Sequence, residues 1–248
     1  MTWGMLRPWV RPMFERAHHQ RIAHVLAALD SDVLRQHGCL FGGGTCIALR
    51  HGEYRESVDI DFLVSDAAGY RELRQLLTGP TGLNAVARPG AQPLTVLREV
   101  RADQYGLRTV VQMDGQAIKF EIVREARIAL EAPGPEDVVC GIGTLTRPDL
   151  ATSKLLANSD RQADDGVFSR DVIDLAMMDL RLPALRMALA KATQAYGPAV
   201  ARDLAKAIDR LQERQGWLER CMQAMAMTMP KAVLWQKVRA LRRVLKAG

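Results

Sequence analysis

The stretch Val58-Asp59-Ile60-Asp61-Phe62-Leu63-Val64 constrains this chain more than any other. Apolar and acidic residues alternate through its first half, and a period of two is the mark of a β-strand with differing faces. Asp59 and Asp61 therefore point to one side of a sheet. Two carboxylates so placed repel each other unless a cation sits between them or one keeps its proton. Their hard oxygen donors suit Mg²⁺ or Mn²⁺, and Mg²⁺ also takes phosphate oxygens from a substrate. A D-x-D match alone is weak, because a chain with 17 aspartates produces such matches by chance. Asp30 and Asp32 are one, and helix capping accounts for them. Apolar residues flanking both acids distinguish Asp59 and Asp61. A solvent-facing edge strand is the competing explanation.

Upstream, Cys39-Leu40-Phe41 reads as a short buried strand that runs into Gly42-Gly43-Gly44. Thr45 opens a helical turn that continues to Arg50. A strand, a glycine turn and a helix start aim backbone N–H groups at one point, where phosphate oxygens are favoured. Thr45 can add a hydroxyl. No G-K-[ST] follows, so this is not a P-loop, and G-x-G-x-x-G is absent. A tight turn needing positive φ explains the glycines equally well. A two-metal site needs a further carboxylate from a neighbouring strand. Glu121, in Ile118-Lys119-Phe120-Glu121-Ile122, is the best candidate. Lys119 shares its face, and a plain ion pair explains the two as readily.

The rest of the front half alternates helix and strand. Ile22, Val25, Leu26 and Leu29 form one helical stripe. Asp30-Ser31-Asp32 caps a short helix that Gly38 closes, and Ser65 or Asp66 caps another with Tyr70, Leu73 and Leu77 inside. Residues 78–93 read as a loop. Strands follow near Val96–Arg101, Leu107–Met113 and Gln116–Val123, with Asp114-Gly115 as a two-residue hairpin turn. A helix starts near Thr146-Arg147-Pro148 and another near Ser169. From Pro183 strands disappear, and Pro183, Pro198 and Pro230 each sit where a helix can begin. The fold class is α+β in front and all-α behind.

Charge divides the same way. The net charge is +6, yet residues 183–248 carry 13 Lys+Arg against 4 Asp+Glu, leaving 21 against 24 in the remainder. Arg202, Lys206, Arg210 and Arg214 recur every fourth residue, and Arg239, Arg242, Arg243 and Lys246 form a second cluster. Such faces bind RNA phosphates, although Asp209 and Glu213 can pair with them instead. Trp217 and Trp235 are expected to pack in the bundle, and Met222, Met225, Met227 and Met229 to fill its core. The longest stretch without formal charge, Gln36–Leu49, has 14 residues, too few to span a membrane. Arg7, Arg11 and Arg16 interrupt any secretory apolar core. Cys39, Cys46, Cys140 and Cys221 contain no C-x-x-C pair and read as reduced thiols of a cytoplasmic protein.

Taken together, the glycine turn and D-x-D strand resemble the DNA polymerase β-like nucleotidyltransferase superfamily. Gly43-Gly44-Thr45 with Arg55-x-Ser57-x-Asp59-Ile60-Asp61-Phe62 is similar, more narrowly, to the AbiEii/AbiGii toxin family. The strand carrying Glu121, the helix pair Lys154 and Arg161, and Arg170-Asp171-Val172-Ile173-Asp174-Leu175 extend the likeness in order over residues 38–180. The resemblance implies a small mixed or antiparallel sheet flanked by helices. With the charge division, the chain is expected to fall into N-terminal helices (1–37), a catalytic core (38–145), helices carrying the Lys/Arg and R-D-x-x-D motifs (146–182), and a basic helical bundle (183–248).

The resemblance further implies transfer of a nucleotidyl group from an NTP to a hydroxyl acceptor such as RNA or tRNA. Asp59, Asp61 and Glu121 would hold metal. Gly43, Gly44, Thr45 and Ser57 would bind the nucleotide together with Lys154 and Arg161. Asp171 and Asp174 would orient Lys154, Arg161 or the acceptor. A toxin paired with an antitoxin is implied as well. The alternatives are a catalytically silent nucleotide- or RNA-binding relative and a small-molecule nucleotidyltransferase. Retention of Asp59, Asp61, Glu121 and Lys154 together favours activity.

Overall fold

The computed structural model describes residues 14–245. Residues 1–13 of the expected N-terminal segment, with Arg7 and Arg11, and Lys246 of the second basic cluster lie outside them. Helix α1 (Ala17–Ala27) buries His19, Ile22, Val25 and Leu26. Leu29 falls beyond its end and bridges Ala87. In α2 (Ser31–Gln36) the Asp30 carboxylate accepts the N–H groups of Asp32 and Val33. Strand β1 (Leu40–Gly42) leads into α3 (Gly43–Arg50), and β2 (Ile60–Val64) into α4 (Ala67–Leu77), which Asp66 caps.

Next come β3 (Thr95–Ala102), β4 (Gly106–Met113) and β5 (Gln116–Arg124). Asp114 and Gly115 between β4 and β5 both have positive φ, as the expected two-residue hairpin requires. The five strands form one sheet in the order β1-β2-β5-β4-β3, parallel only between β2 and β5. On one face Phe41, Phe62 and Phe120 pack ring to ring at 5.6 and 5.4 Å, each contact worth about 0.5–1.5 kcal/mol beyond its burial. Asp61 and Glu121 stand on the other.

The D-x-D strand is shorter than its pattern predicts. It begins at Ile60, so Asp59 immediately precedes it. The β1 ladder ends at Gly42 opposite Asp61, and the β5 ladder ends at Ile60 opposite Phe120. Asp59 leaves that ladder although β5 runs on to Gln116, and its carbonyl accepts the Thr45 hydroxyl at 2.6 Å. Helix α3 also starts sooner than expected, so Gly43 and Gly44 form its first turn.

A small hairpin, β6 (Val138–Val139) and β7 (Ile142–Gly143), was too short to show in the pattern. Helices α5 (Arg147–Arg161), α6 (Arg170–Met177), α7 (Leu182–Tyr196), α8 (Ala199–Glu213), α9 (Trp217–Ala224) and α10 (Lys231–Ala240) complete the chain. Pro148 and Pro183 sit in the first turns of α5 and α7, and Pro198 and Pro230 directly precede α8 and α10. In α8, Val200, Leu204, Ala207, Ile208 and Leu211 make a continuous buried stripe, each large side chain adding about 1.5–3 kcal/mol. Helix α5 packs on α6, α7 and α8, so the bundle takes in the motif helices as well as the basic tail.

Candidate active site

The turn at β1–α3, the end of β2, the face of β5 and the helices α5 and α6 enclose a cleft of about 570 Å³. Gly43, Gly44, Ser57, Asp59, Asp61, Glu121, Lys154 and Arg161 line it. Thr45, Asp171 and Asp174 lie behind that lining. Asp61 and Glu121 are direct partners in the parallel register of β2 and β5, so their side chains share a face. Burial pushes the Asp61 carboxyl up, and the nearby Asp59 pushes it further, against the pull of Lys154. Glu121 is held by Lys119 at 2.9 Å and by Arg108 at 3.2 Å. The ion pair expected as an alternative is therefore formed.

Each of the two inner glycines makes room for one side chain. A Cβ on Gly43, whose φ is +67°, would lie 2.9 Å from the Asp61 Cβ. One on Gly44 would collide with the Arg55 guanidinium. The Thr45 hydroxyl, expected to face phosphate, is buried and turned the other way. It reaches the Ser57 Oγ at 2.7 Å as well as the Asp59 carbonyl. Its work in this structure is to hold the Ser57–Asp59 loop.

Behind the cleft lies a chain of buried ion pairs. Lys154 Nζ meets Asp171 Oδ1 at 3.1 Å and Asp174 Oδ2 at 2.8 Å. Arg161 grips Asp171 through two nitrogens, at 2.7 and 2.9 Å. Arg55 grips Asp174 likewise, at 2.7 and 3.0 Å, and the Tyr54 hydroxyl donates to it at 2.6 Å. Burial drives both carboxyls up, but the cations overcome it and hold them below the usual carboxylate range. Burial acts to lower the Lys154 ammonium, and Asp174 and Asp171 reverse that. Three cations and two carboxylates leave one positive charge in excess, with Lys154 at the cleft wall.

The AbiEii family model, describing nucleotidyl transferase toxins of type IV toxin–antitoxin systems, matches residues 24–243. The chain belongs to this family. No curated protein matches the chain. The AbiEii-family fold seen here is similar to that of JHP933 from Helicobacter pylori, with a TM-score of 0.53 and 15% identity over 94% of this chain and 93% of that one. A second H. pylori structure, provisionally described as a nucleotidyltransferase, gives a TM-score of 0.47 and 16% identity over 91% and 94%. Among the described residues of this AbiEii-family chain, no helix is long and apolar enough to cross a membrane. Cys39, Cys46 and Cys221 are buried thiols without a disulfide.

Several groups at the AbiEii cleft escaped the sequence reading. Arg55 was visible in the motif but not its grip on Asp174. His19 is fully buried, with Nδ1 2.8 Å from Glu53 and Nε2 accepting the Ser57 N–H at 3.2 Å. Burial lowers its pKa against the pull of Glu53, and the ring backs the loop that Thr45 also holds. Phe168 lines the cleft with Val167, Ala224 and Met225. It and Ser169 both adopt left-handed backbone angles, φ +52° and +50°, costing about 1–3 kcal/mol each. The Phe168 ring stacks on buried Trp217 at 6.3 Å, and the indole nitrogen donates to Ser169. Only the tertiary setting reveals such a pair.

Part of the basic tail is held within the bundle, while Arg202 and Lys206 of the expected face stay exposed. Arg214 pairs with Asp165 at 2.8 and 2.9 Å and lies 4.4 Å over the Trp217 ring. Arg210 pairs with the same aspartate and donates to the Gln162 carbonyl. Arg242 holds Asp209, and Arg243 holds the Leu180 carbonyl. These arginines bind the bundle to itself. Met222 and Met225 are buried as expected, with Met227 and Met229 packed against the core.

Proposed function

We propose that the chain moves a nucleoside monophosphate from an NTP to a hydroxyl of RNA, and that this transfer makes it a toxin neutralised by a cognate antitoxin. The observation carrying the proposal is the register pair Asp61–Glu121 beside the Gly43-Gly44 turn, in a cleft walled by Lys154. With a cation held between the acids, the helix start beside them would suit a triphosphate better than a neutral ligand. Asp59, Asp61 and Glu121 are the residues to hold Mg²⁺ or Mn²⁺. All are oxygen donors, and the burial and crowding that raise Asp61 are relieved by a cation. Among the described residues no three acidic, His or Cys side chains form a ready metal cluster. Glu121 would therefore join after leaving Lys119 and Arg108. A divalent ion, when bound, supplies charge stabilisation at the reacting phosphoryl oxygens.

The chain's own residues do the rest. Backbone N–H groups at Gly43 and Gly44 hold the outer phosphates, and Lys154 offsets their charge. Asp171 and Asp174 fix Lys154, with Arg161 and Arg55 fixing them in turn. Thr45 acts as a positioning residue through the Ser57–Asp59 loop, while Ser57 stays at the cleft. The apolar edge at Phe168 takes the base. The acceptor hydroxyl attacks the α-phosphorus, the bond to the bridging oxygen breaks, and pyrophosphate leaves. The hydroxyl proton passes to solvent water as the new bond forms. Residues 38–145 act as the catalytic core, 146–182 as its cationic wall and 183–248 as the supporting bundle, in the cytoplasm.

Glu121, tied up in two ion pairs, favours the second reading, a silent nucleotide binder. Expression toxicity separates the two. The active reading predicts growth arrest that Asp59→Asn/Asp61→Asn abolishes, and arrest unaffected by that change sinks it.

A further inference from the structure

Arg210, Arg214, Arg242 and Arg243 of the tail are held within the bundle, and the sheet carries a second basic surface that leads to the acids. Strand register outward from Asp61 gives one row: Asp61 on β2, Glu121 on β5, Arg108 on β4 and Arg101 on β3. The neighbouring row runs from Lys119 on β5 through Val110 on β4 to Arg98 on β3. Cross-strand partners share a face, so all four cations stand on the side of Asp61 and Glu121. Residues 98 and 101 are three apart and would ordinarily face opposite ways. The register shift between them turns both to this side.

All four cations are exposed. Arg98 and Arg101 form no ion pair among the described residues, whereas Arg108 and Lys119 touch Glu121. Arg101 lies directly opposite Arg108, and a like-charge pair in that position destabilises a sheet. Charges on the edge strand β3 also guard against edge-to-edge pairing. That role needs neither the shared face nor the row that ends at Asp61.

We propose that the open face of β3, β4 and β5 is the track for the acceptor's phosphate backbone. Arg98, Arg101, Arg108 and Lys119 hold a single-stranded RNA end and lead its hydroxyl into the Asp61 cleft. Arg101 stands three strand spacings from Asp61, about 14 Å, so the track spans a few nucleotides. A polynucleotide fits better than an acidic protein because the row ends where an acceptor hydroxyl must arrive. The inference rests on the transfer reading above.

The test is binding of an end-labelled tRNA pool, measured by anisotropy across a salt series, beside KM values for tRNA and NTP. Arg98→Gln/Arg101→Gln weakens tRNA binding about tenfold and makes the salt slope shallower by about 1.4, for two single-strand phosphate contacts. KM for NTP stays unchanged. Arg98→Lys/Arg101→Lys restores binding, and Arg202→Gln/Lys206→Gln leaves it within twofold. Wild-type-like binding by the Gln pair overturns the track, as does loss on the tail variant instead. If the Gln pair loses binding while wild type transfers no label, the track stands and the transfer reading falls. Normal transfer with unchanged KM for tRNA in the Gln pair does the reverse.

Discussion

Gly43 and Asp61 occupy one space: a Cβ on Gly43 would lie 2.9 Å from the Asp61 Cβ. The glycine's φ of +67° adds backbone strain to any replacement. Gly43→Ala is expected to lose about 1–2 kcal/mol of stability from the left-handed backbone alone. It also displaces the carboxylate, and a shift near 1 Å costs about 10²-fold in rate. Gly52 provides the control, since its φ is +76° and a Cβ there meets nothing within 4 Å. Gly52→Ala should show the stability loss in a thermal melt and keep its transfer rate.

Asp174 ties Arg55, Lys154 and Tyr54 into one buried unit. Asp174→Asn leaves Arg55 buried without its carboxylate and Lys154 with Asp171 alone, a loss of about 3–5 kcal/mol at neutral pH. The sign with pH follows from the depressed carboxyls of Asp171 and Asp174. Their stabilisation is complete above the ordinary carboxylate pKa, about 3.9. It is lost as pH falls through the lower folded values. Urea unfolding at pH 7 and again near pH 3 should therefore show the gap between wild type and variant narrowing in acid.

Phe168 tests where the base lies. Stacking of a base on an aromatic ring is worth about 1–3 kcal/mol, so Phe168→Leu should raise KM for NTP about tenfold while kcat holds. Leucine keeps the apolar contact with Trp217 and loses the flat ring face. Phe168→Tyr should retain wild-type KM. An unchanged KM in the leucine variant removes the base from this edge.

His19 backs the Ser57–Asp59 loop through the Ser57 N–H. His19→Ala should lower kcat with little change in KM for NTP, because it frees the loop and touches no substrate. His19→Gln, which can accept the same N–H, should recover part of the rate.

Local order was legible in the sequence wherever neighbours in the chain decide it. Asp30 and Asp66 cap the helices they precede, Asp114-Gly115 turns the hairpin, and the alternation around Asp61 marks a strand. Placing Glu121 on an adjacent strand also succeeded, because β5 has one polar face and Glu121 stands on it. What failed depends on distant partners. Nothing beside Thr45 indicates that its hydroxyl turns inward to the Asp59 carbonyl. The regular spacing of Arg210 and Arg214 looks like a free basic face. Only the fold brings Asp165 and Trp217 to meet them. The start of β2 at Ile60 likewise goes with the Thr45 hydroxyl's hold on the Asp59 carbonyl, a contact made from α3.

Two labelled nucleotides test the account most directly. The protein is incubated with RNA, a divalent cation and ATP, GTP, CTP or UTP carrying ³²P at either the α- or the γ-phosphate. The account predicts α-label in RNA, γ-label in pyrophosphate, and loss of both in Asp59→Asn/Asp61→Asn. Label entering RNA from the γ-position, or no label entering from either under any nucleotide, would contradict it.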